Sequence, residues 1–198
     1  MSKSEVPIEF VRALNELGLS NASSLWGTPL TGGVSSDIWR IDTEKGSVCA
    51  KRALSKLRVN ADWYAPVERN LYEARWLQVA HQACPACAPK LLGQHPELGV
   101  LVMQYLDPDH YRVWKQELHA GHADPQTAHA MGQVLSKIHS HAAKNSHLAS
   151  EFPTDNIFFE IRLAPYLLAT AERHPQLAHA LEALVLQTQN NAKTLVHG

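Results

Sequence analysis

Gly32, Gly33, Ser35 and Ser36 fall within one five-residue run, Gly32-Gly33-Val34-Ser35-Ser36. Small residues in a turn let backbone N–H groups approach an anion closely, and serine hydroxyls add donors. Lys51 closes the apolar run Val48-Cys49-Ala50-Lys51. An ammonium at the end of such a strand can act as a compact point charge between two phosphates. Glu73 stands in Tyr72-Glu73-Ala74-Arg75-Trp76-Leu77, in a helical context among apolar residues, where a carboxylate can face inward and hold that lysine. Glu68, nearer the start of the same helix, is the alternative partner and would also favour the helix dipole. Each part has a plainer reading: Gly-Gly as an ordinary turn, Lys51 as a solvated strand end beside Arg52, Glu73 as a solvent-facing glutamate. Taken in order, they supply what phosphoryl transfer from a nucleotide requires of its donor side: held phosphates and offset charge.

The elements that must position these residues follow from pattern. Val6, Phe10, Leu14 and Leu17 recur at helical spacing, with Gly18 as the stop. Residues 25–30, 38–41 and 47–51 read as strands, separated by the small-residue turn and by a hairpin turn over 42–46. A helix is predicted from Pro66 to about Gln82, and two more strands over 90–93 and 99–106 around a Pro-Glu turn. From there the chain becomes helical. Asp124-Pro125 starts a helix whose apolar face is Ala128, Met131, Leu135, Ile138 and Ala142. A second helix covers 157–174, bent or broken at Pro165, and a third runs from Leu177 to about Asn190 with Leu177, Leu181, Leu184 and Val185 inward. The division is a nucleotide-binding region over 1–104 and a helical region over 105–198.

Composition narrows the function classes. The 198 residues are 45% hydrophobic, enough for a core, and carry 18 basic against 19 acidic side chains. Such balance gives no field to attract nucleic acid or an anionic membrane. No apolar run approaches the ~20 residues of a membrane span. The polar N-terminus and three cysteines, an odd number, fit the reducing cytoplasm.

The ordered set of glycine turn, strand lysine, helix glutamate, hairpin ending in Leu101-Val102-Met103-Gln104-Tyr105-Leu106, helical region and closing Leu195-Val196-His197-Gly198 resembles the aminoglycoside phosphotransferase-like family. Trp114-Lys115, Ile138-His139 and the Arg162-to-Tyr166 segment share its texture, and the resemblance runs from about Leu30 to Gly198. It implies an α+β, protein-kinase-like fold: a small antiparallel-sheet lobe with one key helix, then the first helices of a mainly helical lobe. It implies ATP with Mg²⁺, and a small-molecule substrate that accepts the phosphoryl group on a hydroxyl. Lys51 would meet the α- and β-phosphates, held by Glu73, under a loop of Gly32, Gly33, Ser35 and Ser36. The backbone of Met103, Gln104 and Leu106 would bond the adenine, walled by Val48, Ala50 and Met103. His197 would open the catalytic loop. In the family an aspartate follows His-Gly directly, and metal-binding asparagine and aspartate come later. All fall past Gly198, so the expectation is a truncated chain, inactive alone, with exposed helical faces open to self-association. An inactive nucleotide- or partner-binding remnant is the alternative.

His81-x-x-Cys84-x-x-Cys87 lacks the second ligand pair that structural zinc requires and sits at a helix end rather than a helix start, against both zinc and thioredoxin-like chemistry. His139 and His141 are two apart and do not share a helix face. His119 and His122 fall in a segment that reads as loop. The five tryptophans do not alternate with basic residues and offer no platform for single strands.

Overall fold

The computed structural model describes residues 2–30 and 33–196. A six-stranded, wholly antiparallel sheet carries the first half: β1 (Ser4–Glu5), β2 (Trp26–Pro29), β3 (Ser36–Thr43), β4 (Gly46–Ala53), β5 (Leu91–His95) and β6 (Val100–Gln104). The spatial order is β1-β2-β3-β4-β6-β5, so β4 is central. The chain is α+β, as expected. β1 is the addition: two residues too short to leave a pattern, defined by pairing with Gly27 and Trp26.

The two faces of the sheet follow from strand alternation. On one, α1 (Ile8–Glu16) lays Phe10, Val11, Ala13 and Leu14 over Trp39, Ile41, Val48, Ala50, Val100 and Val102. On the other lies α2 (Arg69–Ala83), where Ala74 and Leu77 pack on Leu101 with Met103 beside them. The far side of α2 is apolar too, because Val79 packs with Ala142, Leu148 and Leu195 of the helical region. A helix sandwiched in this way needs apolar residues on two sides, and α2 has them.

The helical region comprises α3 (Trp114–His119), α4 (Pro125–Ala143), α5 (Leu148–Glu151), α6 (Asp155–Phe158), α7 (Ala169–Arg173) and α8 (Ala178–Gln189). Asp124 caps α4 as expected, accepting from the Gln126 N–H at 2.9 Å. The helix expected over 157–174 is a run of α6, a π-helical stretch Phe159–Leu168 and α7. Pro165 cannot donate to the α ladder, and the wider turn accommodates it without ending the helix. Two apolar expectations are corrected. Only the C-terminal half of the α4 face is covered, with Ile138 and Ala142 buried while Met131 is exposed. Leu177 and Leu184 are also exposed, leaving Val185 as the buried anchor of α8. His119, read as loop, ends the short α3.

Gly27 shows how tightly the sheet is closed over α1. A methyl group there would collide with the Arg40 carbonyl oxygen on the paired strand and lie 3.0 Å from Val6 Cγ2. Backbone cannot retreat cheaply, so Gly27→Ala is expected to lower stability by about 2 kcal/mol, read as a shift in the urea midpoint with an unchanged slope.

Candidate functional site

Lys51 lies on β4 opposite Leu101 of β6, on the face covered by α2. Glu73 is one turn into α2, and the two side chains meet: Nζ is 2.7 Å from Oε1 and 2.6 Å from Oε2. Glu73, not Glu68, is the partner. Both groups are partly screened from water, at 20% and 32% side-chain exposure, and neither is sealed. An ion pair in such a setting holds geometry more than it adds stability, because desolvation cancels much of the attraction.

The pair opens onto a cavity of about 350 Å³ between the sheet and the helical region. Ser35, Ser36, Trp63, Arg69 and Tyr72 line it together with Lys51 and Glu73. From the helical region, α6 and the π-helical stretch contribute Ile157, Phe158, Ile161, Arg162 and Tyr166. Two contacts tie these two sets of residues together: the Trp63 indole donates to the Glu160 carbonyl at 3.1 Å, and its ring meets Tyr166 edge-on at 6.3 Å. Arg75 adds a third tie between the halves, donating to the Glu151 carbonyl at 2.9 Å.

The turn residues divide. Gly32 and His197 lie outside the described residues. Gly33 is exposed, and a methyl group there would meet only Ile38 Cδ1 at 3.6 Å, an ordinary contact. The close approach that would require glycine at position 33 is therefore not made within the chain. Ser36, expected in the loop, is the buried first residue of β3, paired with Ala53. The loop exit is held by backbone bonds, from Leu54 N–H to Ser35 O at 3.0 Å and from Arg58 N–H to Val34 O at 2.8 Å.

The expected adenine-bonding segment lies away from this cavity. Met103 packs between α2 and the sheet, and the Gln104 N–H is committed to the Lys90 carbonyl at 2.8 Å. Leu106 follows the end of β6. Val48 and Ala50 are corrected outright. Their side chains face α1, inside the core on the opposite side of the sheet from Lys51. With a period of two, the β4 residues that share the Lys51 face are Ser47, Cys49 and Ala53. Burial pushes the Cys49 thiol up to about 11, with the Lys51 charge working against that rise.

Arg69 was missed by the sequence reading. The signal was its position one turn before Glu73, but its partners are backbone carbonyls, which no motif displays. Burial pushes its pKa down, and the charges of Glu73 and Glu68 oppose the fall. Near the end of α2, the Cys87 thiol is pushed up to about 11 by burial and by its closeness to Cys84, whose carbonyl accepts from Sγ at 2.8 Å. Among the described residues no group of three or more His, Cys, Asp or Glu side chains gathers to hold a metal ion.

The family model described as "Phosphotransferase enzyme family" matches residues 26–198. Among curated proteins, the methylthioribose kinase of Cronobacter sakazakii is 29% identical over 180 residues, covering 76% of this chain and 44% of that protein. The methylthioribose kinase of Pectobacterium carotovorum is 31% identical over 139 residues, covering 62% of this chain and 34% of its own. That of Yersinia pseudotuberculosis is 33% identical over 97 residues, 48% of this chain and 23% of its own. The chain thus spans less than half the length of the curated relatives it matches.

The state of Cys49 gives a test of this face of the sheet. With its pKa near 11, only about one thiol in a thousand is ionised at pH 8. Iodoacetamide at pH 8 should leave Cys49 unmodified over the time that alkylates an unfolded control completely, as read by peptide mass spectrometry. Rapid labelling of Cys49 would mean the face is open.

Proposed function

The chain belongs to the phosphotransferase enzyme family, and on that premise we propose that it carries the nucleotide-binding part of a kinase transferring phosphoryl from ATP to a hydroxyl of a small molecule. The observation that carries this reading is the Lys51–Glu73 pair, lining one cavity together with Ser35 and Ser36. ATP would supply the phosphoryl group. The chain's own residues would hold it. Lys51 offsets charge on the α- and β-phosphate oxygens, and Glu73 keeps the ammonium on target. The loop from Gly32 to Ser36 covers the phosphates, and Gly33 leaves room for close approach there.

The adenine lies farther along β6, against the backbone of Met103, Gln104 and Leu106. Since the Gln104 N–H is already taken, its carbonyl and the Leu106 N–H are the groups assigned to the base. Cys49, two residues before Lys51, takes the wall position first expected of Val48 and Ala50. Residues 1–104 form the smaller lobe of a protein-kinase-like pair and 105–198 the start of the larger one, with His197 opening the catalytic loop. Magnesium accompanies ATP in this proposal, and no described residue is assigned to hold it.

The acceptor is a small hydroxylated molecule, with the sugar of the relatives' names as first candidate. The apolar rings of Trp63, Tyr72 and Phe158 suit an apolar portion, while Arg162 provides a cation beside them. A cytoplasmic location accompanies the use of ATP. Self-association through the exposed side chains of α8, Leu184 and Leu186, belongs to the same proposal. Among the described residues no helix is long and apolar enough to cross a membrane.

Two measurements test the reading. Calorimetry should show ATP binding to this chain, stronger with magnesium. Radiolabelled ATP, offered to a protein of the relatives' full length that contains this chain, with a panel of hydroxylated metabolites headed by methylthioribose, should label one of them. Lys51→Ala should lower kcat/KM by about 100-fold or more. Turnover of the Lys51→Ala protein within a few-fold of wild type would remove Lys51 from its role. Binding with no transfer to any acceptor would favour a nucleotide-binding module.

A further inference from the structure

We propose that Arg69 is a positioning residue that fixes the loop, the strand and the helix of the phosphate site in one register, acting through Glu73. The inference deepens the phosphotransferase reading and rests on it for the ligand. Four carbonyls converge on the guanidinium. Nη1 donates to Ala65 O at 3.0 Å and Pro66 O at 2.6 Å, and Nη2 donates to Ser35 O and Leu54 O, both at 2.6 Å. Those acceptors belong to three separate segments. Ala65 and Pro66 lead into α2. Ser35 is the exit of the small-residue turn. Leu54 follows the last residue of β4, three positions beyond Lys51.

Each terminal nitrogen carries two hydrogens, and both hydrogens on both nitrogens are accounted for by these four bonds. Arg69 therefore has no terminal N–H to offer a phosphate, although it lines the same cavity as Lys51. Its effect must pass through the segments it joins. On α2 it stands four residues before Glu73, so the two share a face, and any roll of the first helical turn carries the carboxylate with it. The next residue works from the other side: the Asn70 side chain donates to the Gly99 carbonyl at 2.5 Å and so ties α2 to the β5–β6 turn. Arg69 sets the distance of α2 from the loop and from the end of β4, and Asn70 sets it from the hairpin. The Lys51–Glu73 contact at 2.6 Å depends on both.

Only a planar fork can satisfy this geometry. A lysine has one nitrogen with three hydrogens and cannot reach four oxygens spread over three segments, although it keeps the charge. That separates a positioning role from a field effect.

The experiment is a binding cycle with an exchange measurement. ATP affinity is measured by calorimetry for wild type, Arg69→Met, Arg69→Lys, Glu73→Gln and the Arg69→Met/Glu73→Gln pair. Amide hydrogen exchange is followed at Leu54 and Arg58, whose N–H groups hold the loop exit. Arg69→Met and Glu73→Gln should each weaken ATP binding about tenfold, and the pair by about the same tenfold, because one acts through the other. Arg69→Lys should not rescue affinity, and the two amides should exchange about ten times faster or more in both Arg69 variants. An additive, roughly hundredfold loss in the pair would overturn the proposal. So would affinity within twofold of wild type in Arg69→Met, or full rescue by lysine. Should Arg69→Met fail to fold, the cycle is run with Arg69→Lys. If the wild-type chain binds no ATP, the phosphotransferase reading is what fails. The exchange rates then decide the clamp alone, and unchanged rates at Leu54 and Arg58 overturn it.

Discussion

One contact between a sheet and a helix organises this molecule. Lys51 comes from the central strand and Glu73 from the helix laid across it, and everything around them serves to keep the two within 2.7 Å. The pair is neither fully buried nor fully wet. Complete burial would impose a desolvation cost of several kcal/mol per ion, and full exposure would leave a contact worth at most about 1 kcal/mol. At the intermediate depth found here the charges keep a direction, and an ammonium with a fixed direction is what an anionic ligand can use.

The surrounding packing explains why the helix can hold that direction. Ala74 and Leu77 press α2 onto Leu101 of the sheet, while Val79 presses its far side onto the helical region. Its first turn is fastened through side chains that reach backbone oxygens, Arg69 on the loop side and Asn70 on the hairpin side. Carbonyl acceptors move only when the backbone moves, so these attachments are stiffer than pairings between two flexible side chains. The membership in a phosphotransferase family fits this arrangement, since such chemistry depends mainly on placing charge.

Sequence and structure agree where a residue's role is set by local pattern. The glycine after α1 adopts a φ of +68° and the aspartate before α4 caps it, while of the two candidate glutamates it is Glu73 that the structure brings to Lys51. They part where the answer depends on which side of a surface a residue faces. Val48 and Ala50 were expected to wall the adenine, yet strict alternation sends them to the α1 side. Leu177 and Leu184 look like core in a helical wheel, but in this chain only Val185 of that helix is deeply covered. Arg69 lay beyond reach for a different reason. Nothing in a string of side chains announces that four main-chain oxygens from distant positions will gather at one point.

The π-helical stretch from Phe159 to Leu168 adds something that composition alone would not convey. Its wider winding, with i→i+5 hydrogen bonds, brings positions four and five apart nearly into line. Ile157, Ile161, Arg162 and Tyr166 follow that spacing along one wall of the cavity. The wall is consequently set by phase as well as by chemistry. A substitution there changes its texture, whereas gaining or losing one residue would re-aim it, making residue number in this segment a variable by which relatives of similar composition can differ in what they admit.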